Sequence, residues 1–161
     1  MIAFISNLFT RAEPAITEAG ARDAPAIAAL HARAFRRGWS EQEVEGLLLD
    51  RHVIAHRATN GGKLDGFIMS RIVEDEAEIL SVAVADRQRG RGLARRLLDL
   101  HLRRLAGLGA RAIFLEVDEN NVPALRLYRR AGFQEVSRRP GYYPGKDAAA
   151  ATALILRRDL V

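Results

Sequence analysis

Apolar and polar residues are arranged along the chain in segments that each have a clear period. Residues 79–84 read Ile-Leu-Ser-Val-Ala-Val, an apolar run that is typical of a β-strand. A short polar connection follows, and from Leu93 apolar residues recur at helical spacing until Gly107 and Gly109 end the pattern. Residues 76–108 therefore predict a strand, a turn and a long amphipathic helix.

The residues before this stretch predict a short strand and two helices. The strand covers residues 15–19, and Asp23 is the expected N-cap of the first helix because its carboxylate can accept a free backbone N–H group. Ser40 and Glu43 have the spacing of a capping box, which places the start of a second helix after Ser40. We expect the two helices to form a hairpin with Trp39 at its corner.

Strand patterns alternate with one further helix in the rest of the chain. Residues 52–57 and 64–73 flank an Asn-Gly-Gly turn and predict a β-hairpin. Residues 112–117 are almost continuously apolar, as in a strand buried on both faces beside a parallel neighbour. A helix opened by Pro123 and closed by Gly132 follows. The last predicted segments are a strand at 133–138, a loop at 140–146 and a strand at 150–156.

The predicted order of elements is β-α-α-β-β-β-α-β-α-β-β. It contains one strand-helix-strand unit at its centre, which a right-handed crossover would close into a parallel pair. We therefore expect an α/β sandwich with a mixed, mostly antiparallel sheet, a central parallel β-α-β unit and about four helices. Residues 15–161 are expected to form a single domain, and residues 1–14 a loosely ordered lead-in.

Composition and charge narrow the class of protein. At 161 residues, with 48% apolar and 28% charged residues, the chain is long enough to bury an ordinary core. It has no cysteine, which excludes disulfides, thiolate metal sites and a cysteine nucleophile. The net charge of +5 and the pI near 10.4 come almost entirely from arginine and indicate an acidic ligand or partner.

The N-terminal residues do not have the features of a targeting segment. Residues 1–9 are mildly apolar, but they lack a basic n-region, a sustained apolar core and an evident cleavage site. No later run approaches the length that a membrane-spanning helix needs. The sequence therefore predicts a cytoplasmic protein with no membrane partner.

The connection between the central strand and the long helix carries two glycines among arginines, at residues 89–92. Backbone N–H groups at a helix start lack partners, and the helix dipole adds partial positive charge, so a phosphate group is favoured there. Two common phosphate motifs do not fit: the dinucleotide fingerprint needs a small residue where Arg95 stands, and a Walker loop needs Gly-Lys-Ser/Thr. Taken alone, the pattern suits a pyrophosphate-binding turn and a helix start on a solvated basic face about equally well.

Arg89, Gly92 and Ala94 form the pattern R-x-x-G-x-A directly after a Val-Ala-Val strand end. This pattern resembles motif A of the GCN5-related N-acetyltransferase (GNAT) superfamily, whose turn binds the pyrophosphate of acetyl-CoA through backbone amides. The predicted order of strands and helices is also the order found in that superfamily. The resemblance implies a GNAT-like fold and acetyl-CoA as cosubstrate.

Further segments extend the resemblance over most of the chain. Glu116 in Leu-Glu-Val, then Asn121, and Tyr128 in Leu-Tyr-x-x-x-Gly-Phe look like motif B of the superfamily. An early Trp-Ser-Glu and a late Tyr-Tyr-Pro, which begin at residues 39 and 142, resemble one branch, the bacterial ribosomal-protein-alanine N-acetyltransferases of the RimI type. The order of these residues, their spacing and the surrounding pattern all agree with those of the superfamily.

The resemblance implies a role for each matching position. Glu116 corresponds to the general base and Tyr128 to the general acid, while Trp39, Tyr142 and Tyr143 flank the presumed peptide groove. The implied acetyl-CoA contacts are Val82, Ala83, Val84, Arg89, Gly90, Arg91, Gly92, Leu93, Ala94, Arg95, Asn121 and Tyr128.

Two positions depart from the pattern of that branch. Gly38 precedes the tryptophan where the branch commonly has proline. The final loop carries Lys146 and Asp147 followed by alanines, instead of an acidic, glycine-rich stretch. Both regions flank the presumed groove, so these departures leave the identity of the acceptor open.

The chemistry of the candidate residues fits the acetylation of an amine. An amine must lose a proton before it attacks a thioester, and an α-amino group, with a pKa of about 7.7 to 8.0, needs less help than a lysine at about 10.4. Glu116 could take that proton directly or through water; alternatively, it faces solvent or pairs with an arginine. Tyr128 could protonate the departing thiolate; alternatively, it is an ordinary core aromatic. Because cysteine is absent, we expect direct transfer without an acetyl-enzyme.

Other candidate side chains have simpler explanations. Trp39 could pack the helical hairpin or line the groove, and the late tyrosine pair could clasp a peptide or close the sheet edge. His52 and His56 would lie about 13 Å apart in a strand, too far to share an ion, so no metal is predicted. His31 and His101 are most simply helix-face residues.

The leading hypothesis is an acetyl-CoA-dependent enzyme that acetylates the N-terminal α-amino group of a protein such as a ribosomal protein. Transfer to a small amine, such as a polyamine, amino sugar or antibiotic, is the alternative and predicts an acidic acceptor pocket. An RNA-binding module comes last because aromatic stacking residues are missing nearby; it would use Arg87, Arg89, Arg91, Arg95, Arg96, Arg103 and Arg104. No DNA partner is predicted, and the oligomeric state is left open.

Overall fold

The structure is a computed structural model that describes residues 12–143 and 151–161. These residues form one seven-stranded sheet with helices packed on it. The strands are β1 (Ala15–Glu18), β2 (Val53–Asn60), β3 (Lys63–Val73), β4 (Glu76–Val84), β5 (Ala112–Asp118), β6 (Gln134–Tyr143) and β7 (Ala151–Asp159). The helices are α1 (Ala24–Ala34), α2 (Glu41–Leu49), α3 (Leu93–Gly107) and α4 (Val122–Arg130), with 3₁₀ turns at Ala21–Asp23 and Asp86–Gln88. Residues 1–11 of the predicted lead-in lie outside the described residues.

The strands are arranged in the order β1-β2-β3-β4-β5-β7-β6. β4 and β5 run parallel and are joined by α3, and every other neighbouring pair of the described sheet is antiparallel. The predicted order of elements is confirmed, and so is a mixed sheet with a central parallel β-α-β unit. No helix in the described ranges is long and apolar enough to cross a bilayer.

Helices pack on both faces of the sheet, and each face has its own apolar cluster. α3 buries five leucines, among them the fully buried Leu97, Leu98 and Leu105, in a cluster that we call the α3/α4 cluster. The α1/α2 cluster joins Ile27 and Val44 with residues of β3 and β4. Neighbouring residues of β3 alternate between the two clusters, so these clusters lie on opposite faces. Burial of each of these leucines stabilises the fold by roughly 1.5–3 kcal/mol.

The two predicted helix caps differ in outcome. At α2 the capping box is confirmed, because Ser40 Oγ accepts the Glu43 N–H (3.1 Å) and Glu43 Oε2 accepts the Ser40 N–H (2.7 Å). At α1, Asp23 stands at the predicted N-cap position, but its backbone angles are helical instead of extended and its side chain accepts no hydrogen bond from the helix. Its carboxylate accepts the Gly20 N–H (2.8 Å) and pairs with Arg57 of β2. This side chain therefore ties the start of α1 to the sheet.

The C-terminal strands are longer than the sequence predicts. β6 continues to Tyr143, so the predicted loop at 140–146 is wrong for residues 140–143, and its remainder lies outside the described residues. Proline lacks an N–H group and is tolerated at the edge of a sheet. Because β6 is the last strand in the order, Pro140 fits inside it. β7 also extends beyond its predicted end, to Asp159.

A buried polar chain links α3 to the sheet. His56 Nδ1 of β2 lies 2.7 Å from His101 Nδ1, and His101 Nε2 lies 2.7 Å from Ser70 Oγ of β3. Burial lowers the pKa of His101 to about 3, with His56 as a smaller cause. Burial also lowers the pKa of His56, an effect that Glu18 opposes and Arg104 reinforces. Both rings are therefore neutral at neutral pH.

These neutral histidines predict a loss of stability in acid. In the unfolded state both bind a proton as the pH falls below about 6.5, whereas in the folded state burial keeps them neutral. Above that pH the two histidines do not change the free energy of unfolding. Below it, each lowers the free energy of unfolding by up to about 1.4 kcal/mol per pH unit, because only the unfolded state binds the proton. Urea unfolding between about pH 7.5 and pH 5 should show this slope.

Two variants assign the slope to the histidine chain. His101→Leu removes one of the buried histidines whose pKa is lowered, so its stability should depend less steeply on pH than that of the wild-type protein. His52→Gln is the control, since His52 is exposed and lies outside the chain of buried rings. Equal slopes in His101→Leu and in the wild-type protein would contradict the prediction.

Candidate active site

The parallel strands β4 and β5 separate soon after they meet. Residues 76–78 of β4 pair with residues 112–114 of β5, and no further pair follows between these two fully described strands. Beyond this point β4 stays paired to β3 up to Val84, and β5 stays paired to β7 up to Asp118. The second half of β4 therefore presents backbone N–H and C=O groups to an opening in the middle of the sheet.

A β-bulge lies where the two strands separate. Ser70 of β3 pairs with Ile79 and Met69 pairs with Ser81, so Leu80 is the extra residue of β4. A bulge bends its strand, which turns β4 away from β5. The Ser81 hydroxyl is buried without a hydrogen-bond partner among the described residues. A buried hydroxyl of this kind calls for a water or a polar ligand atom beside it.

The turn after β4 presents unpaired N–H groups at the start of α3. Gly90 (φ 72°) and Gly92 (φ 79°) have left-handed backbone angles that favour glycine. No side chain caps the helix, and its first backbone hydrogen bond runs from the Arg96 N–H to Gly92 O (3.1 Å). In the part of the chain that the structure describes, the N–H groups of residues 93–95 therefore have no backbone partner. Together with the helix dipole they form a site that favours a phosphate group.

A buried carboxylate that the sequence analysis missed supports this turn. Asp65 of β3 is 1% exposed and accepts hydrogen bonds from Arg87 Nε (2.6 Å) and from the Gln88 side-chain amide (2.9 Å). Hydrogen bonds to charged groups contribute about 1.5–3 kcal/mol each, so Asp65 fixes the turn on the sheet. The only sequence signal for this role is an aspartate inside an apolar strand pattern.

Glu116 lies on β5 beside the opening. Its neighbours Leu115 and Val117 belong to the α3/α4 cluster, so Glu116 points to the face that α1 and α2 cover. Its side chain is 27% exposed, and Oε1 lies 3.1 Å from Nη1 of Arg139. The pairing with an arginine, one of the alternatives that the sequence left open, is therefore present. The role of general base stays a prediction.

Tyr128 of α4 lies on the opposite face of the sheet from Glu116. It is buried in the α3/α4 cluster, where its ring meets the Phe133 ring edge-on at 5.7 Å. Burial raises the pKa of Tyr128 to about 12. The phenol therefore keeps its proton at neutral pH, as a general acid must, and it also fits the alternative of an ordinary core aromatic. The role of general acid stays a prediction.

The remaining predicted site residues have structural roles of their own. Asn121 caps α4, and its Oδ1 accepts the Ala124 N–H (3.3 Å). Trp39 is half-buried and packs on the α1/α2 cluster, which confirms its predicted place in the helical hairpin. The backbone of Tyr142 and Tyr143 belongs to β6, and their side chains lie outside the described residues. The ligand contacts of these four residues stay predictions.

A cavity of about 310 Å³ lies at the open end of β4, between the last turn of α1 and the turn before α3. It is lined by Leu30, Arg33, Ala34, Val84, Ala85, Asp86, Arg87 and Arg89. Arginine supplies most of its charge, although Arg87 pairs with Asp65, and Arg89 pairs with Asp86 at 3.1 Å. The end of α1 therefore stands beside the C-terminal end of β4.

These features together fit a thioester ligand that carries a diphosphate. An open strand edge offers backbone hydrogen bonds along an extended arm, and the turn offers free amides for the diphosphate. The unpartnered hydroxyl of Ser81 lies on the same strand. A carboxylate on one face of the sheet and a protonated phenol on the other supply candidates for proton transfer.

Comparison with known proteins identifies the family. The sequence model described as the acetyltransferase (GNAT) family matches residues 24–133. The chain belongs to the GNAT acetyltransferase family. It is an acetyl-CoA-dependent N-acetyltransferase, so the enzyme class predicted from the sequence is confirmed.

Relatives that carry names are similar to this GNAT protein over most of its length. The ribosomal protein bS18-alanine N-acetyltransferase of Escherichia coli K12 is 33% identical over 125 residues, which cover 78% of this chain and 84% of that protein. The crystal structure of the ribosomal-protein-S18-alanine N-acetyltransferase from Escherichia coli superimposes with a TM-score of 0.85 at 29% identity. The match covers 91% of this chain and 94% of the Escherichia coli chain. The predicted resemblance to the RimI-type branch is confirmed.

A more distant structure supports the fold alone. The structure of Arabidopsis thaliana NAA60 in complex with acetyl-CoA superimposes with a TM-score of 0.80 at 20% identity. The match covers 91% of this chain and 98% of the NAA60 chain. The GNAT fold predicted for this chain is confirmed. Within the described ranges no three His, Cys, Asp or Glu side chains cluster, and the expectation that no metal is used stays a prediction.

Replacing two glycines near α3 with alanine should have opposite effects on stability. Gly92→Ala places a side chain at φ 79°, where L-residues are disfavoured by roughly 1–2 kcal/mol. It should lower both stability and acetyl-CoA affinity, because the free N–H groups would shift. Gly107→Ala is the matched control, since Gly107 ends α3 in open space and alanine is favoured there by about 0.5–1 kcal/mol.

Thermal unfolding and isothermal titration with acetyl-CoA measure these two effects separately. Gly107→Ala should keep the wild-type affinity while its melting temperature stays level or rises. If Gly92→Ala bound acetyl-CoA as tightly as Gly107→Ala does, the turn would not be the diphosphate site.

Proposed function

We propose that this N-acetyltransferase acetylates the N-terminal α-amino group of a protein, with ribosomal protein N-termini as its acceptor class. The observation that supports the transfer mechanism is that Glu116 and Tyr128 lie on opposite faces of a sheet whose parallel strands β4 and β5 pair over only three residues each. Similarity to the Escherichia coli enzyme named for alanine acetylation of ribosomal protein bS18, over 84% of its length, supports the acceptor class. A base on one face and an acid on the other suit direct transfer through the opening.

Backbone groups bind the cosubstrate in this proposal. The open edge at residues 82–84 would hold the pantetheine arm as an added strand would be held, and the amides of residues 90–95 would hold the diphosphate. Acetyl-CoA supplies the thioester carbonyl that the amine attacks. N–H groups of the same edge would stabilise the negative charge that develops on the carbonyl oxygen.

Glu116 would take the proton of the incoming amine. Its present partner Arg139 lies on the edge strand β6, and partly exposed ion pairs of this kind are worth about 1 kcal/mol or less. An ammonium group or a water molecule can therefore replace the arginine at small cost. The proton then passes from the α-amino nitrogen to Oε1, directly or through one water.

Tyr128 would give its phenol proton to the departing sulfur. Because burial raises the pKa of Tyr128 to about 12, the hydroxyl is protonated whenever a substrate arrives. Solvent later returns a proton to the phenolate and accepts one from Glu116, which restores both groups. The chain has no cysteine to carry an acetyl group, which supports a direct transfer.

The charges near the opening argue against the two other hypotheses. A cationic small amine would need an acidic pocket, whereas the cavity at the end of β4 is lined by three arginines and one aspartate. An RNA-binding module would need free arginines on α3 and the turn before it. Carboxylates lie within ion-pair distance of five of the seven arginines that such a module would use and offset part of their positive charge: Arg87, Arg89, Arg95, Arg96 and Arg104.

The acceptor class is tested by offering acetyl-CoA with a panel of amines and following the release of free CoA. Peptides with the N-terminal sequences of ribosomal proteins should be turned over, because an α-amino group loses its proton more easily than a lysine side chain does. The same peptides with a blocked N-terminus but a free lysine are the matched control and should be inert. Turnover confined to polyamines, amino sugars or antibiotics would contradict the proposal.

The catalytic roles are tested by two isosteric substitutions. Glu116→Gln and Tyr128→Phe should each lower kcat by about one hundredfold or more, the usual contribution of a general base or acid. The affinity for acetyl-CoA should change little in either variant, because backbone groups bind the cosubstrate. Glu135→Gln is the control, since Glu135 pairs with Arg138 on β6 and has no proposed role. A variant with unaltered kcat would remove its residue from the mechanism.

A further inference from the structure

The corner between α1 and α2, residues 35–40, is built around a buried histidine. His31 in the last turns of α1 is 4% exposed and stacks with two aromatic rings. The Phe35 ring is 4.4 Å away at 30°, and the Trp39 ring is 4.2 Å away at 11°. Stacked aromatic pairs add to stability beyond the area that they bury, so this stack holds both ends of the corner together.

A hydrogen bond fixes the same corner through the backbone. The Trp39 N–H donates to His31 Nδ1 at 3.1 Å, so Nδ1 carries no proton and the neutral ring has its hydrogen on Nε2. Burial lowers the pKa of His31, and Glu43 on α2 is the charged group that opposes this effect. The Phe67 ring of β3 covers the sheet side at 6.4 Å. At neutral pH the imidazole is therefore an acceptor.

A close backbone contact adds a third restraint on the corner. A Cβ atom added to Gly38 would lie 2.9 Å from the Ala32 Cα atom, which is closer than real Cβ contacts allow. Only glycine lets the corner fold back onto α1 at this distance. The glycine where the RimI-type branch commonly has proline therefore belongs to the same arrangement as the histidine.

The corner stands over the open half of β4. Phe67, which meets the His31 ring, is the cross-strand partner of Ala83. The residues on either side of His31 along α1, including Leu30 and Arg33, line the cavity at Val84. Phe67 and Ala83 belong to the α1/α2 cluster, so the corner covers the face of the sheet toward which Glu116 points.

We propose that His31 is a positioning residue for the acceptor: it holds Trp39 and the α1–α2 corner in the shape that forms one wall of the acceptor groove. This inference rests on the proposed function, because it assumes that the amine enters from the Glu116 face. His31 acts through Trp39 and touches no substrate itself. The backbone groups proposed for acetyl-CoA belong to β4 and the turn before α3, whereas the ring contacts and the hydrogen bond of His31 are made with Phe35, Trp39 and Phe67.

Two substitutions separate the hydrogen bond of His31 from its stacking. His31→Phe keeps a flat ring in the stack but leaves the Trp39 N–H without an acceptor. His31→Asn keeps an acceptor at the place of Nδ1 but removes the ring. His31→Phe should raise the KM for an N-terminal peptide about tenfold, the size expected when a partly buried N–H loses its acceptor, and His31→Asn should recover part of that loss.

The KM for acetyl-CoA should stay within about twofold of the wild-type value in both variants, and kcat should change less than the peptide KM. A purely structural role would instead lower kcat and weaken both substrates together. His52→Asn is the matched control, since His52 is an exposed histidine outside the corner, and it should leave all three constants unchanged. An unaltered peptide KM in a folded His31→Phe variant would overturn the proposal.

Fluorescence tests the corner without using activity. Trp39 is the single tryptophan of the chain, so its emission reports only on this corner. His31→Phe should shift the emission to longer wavelength as the indole loosens, and N-terminal peptide should change the wild-type emission where acetyl-CoA alone does not. Unchanged emission in His31→Phe would overturn the role of His31 in holding Trp39. Failure of the wild-type protein to acetylate any peptide, with the emission shift present, would instead refute the proposed acceptor class and leave the corner intact.

Discussion

The early separation of β4 and β5 is the constraint on which the rest of the structure depends. Each strand is held by its other neighbour, β3 or β7, so the two can part without unfolding. Parting leaves backbone groups of β4 that must pair with water or with a ligand, because unpaired buried groups cost about 1–3 kcal/mol each. The bulge at Leu80 sets the point at which this happens. The proposed binding site is thus made from main chain, which is compatible with small apolar side chains along it.

Buried polar contacts keep this opening in a defined shape. Asp65 fixes the turn that leads into α3, and the chain from His56 through His101 to Ser70 fixes the middle of the helix on the sheet. Apolar burial is not directional, whereas these hydrogen bonds join defined atoms of the helix, the turn and the sheet. They therefore help to keep the free N–H groups at the helix start aligned with the open edge of β4.

In the proposed function, the two faces of the sheet divide the chemistry of this acetyltransferase. The α3/α4 face carries Tyr128 and the start of the helix that suits a diphosphate, while the α1/α2 face carries Glu116 and the corner around Trp39. Cosubstrate recognition can therefore stay the same while the acceptor face varies. Loops and helix corners tolerate sequence change better than a strand in the middle of a sheet does, so the acceptor side is where members of one fold can differ.

The sequence by itself determined the order of elements, the capping box at Ser40 and the glycine turn before α3, because these features depend on residues a few positions apart. Tertiary structure alone decided where β4 leaves β5, that Glu116 meets Arg139, and that His56 meets His101. It also overrode local preference, by drawing Asp23 to Arg57 and by making Pro140 part of an edge strand. Each of these outcomes joins segments far apart in the chain, and local spacing carries no information about such partners.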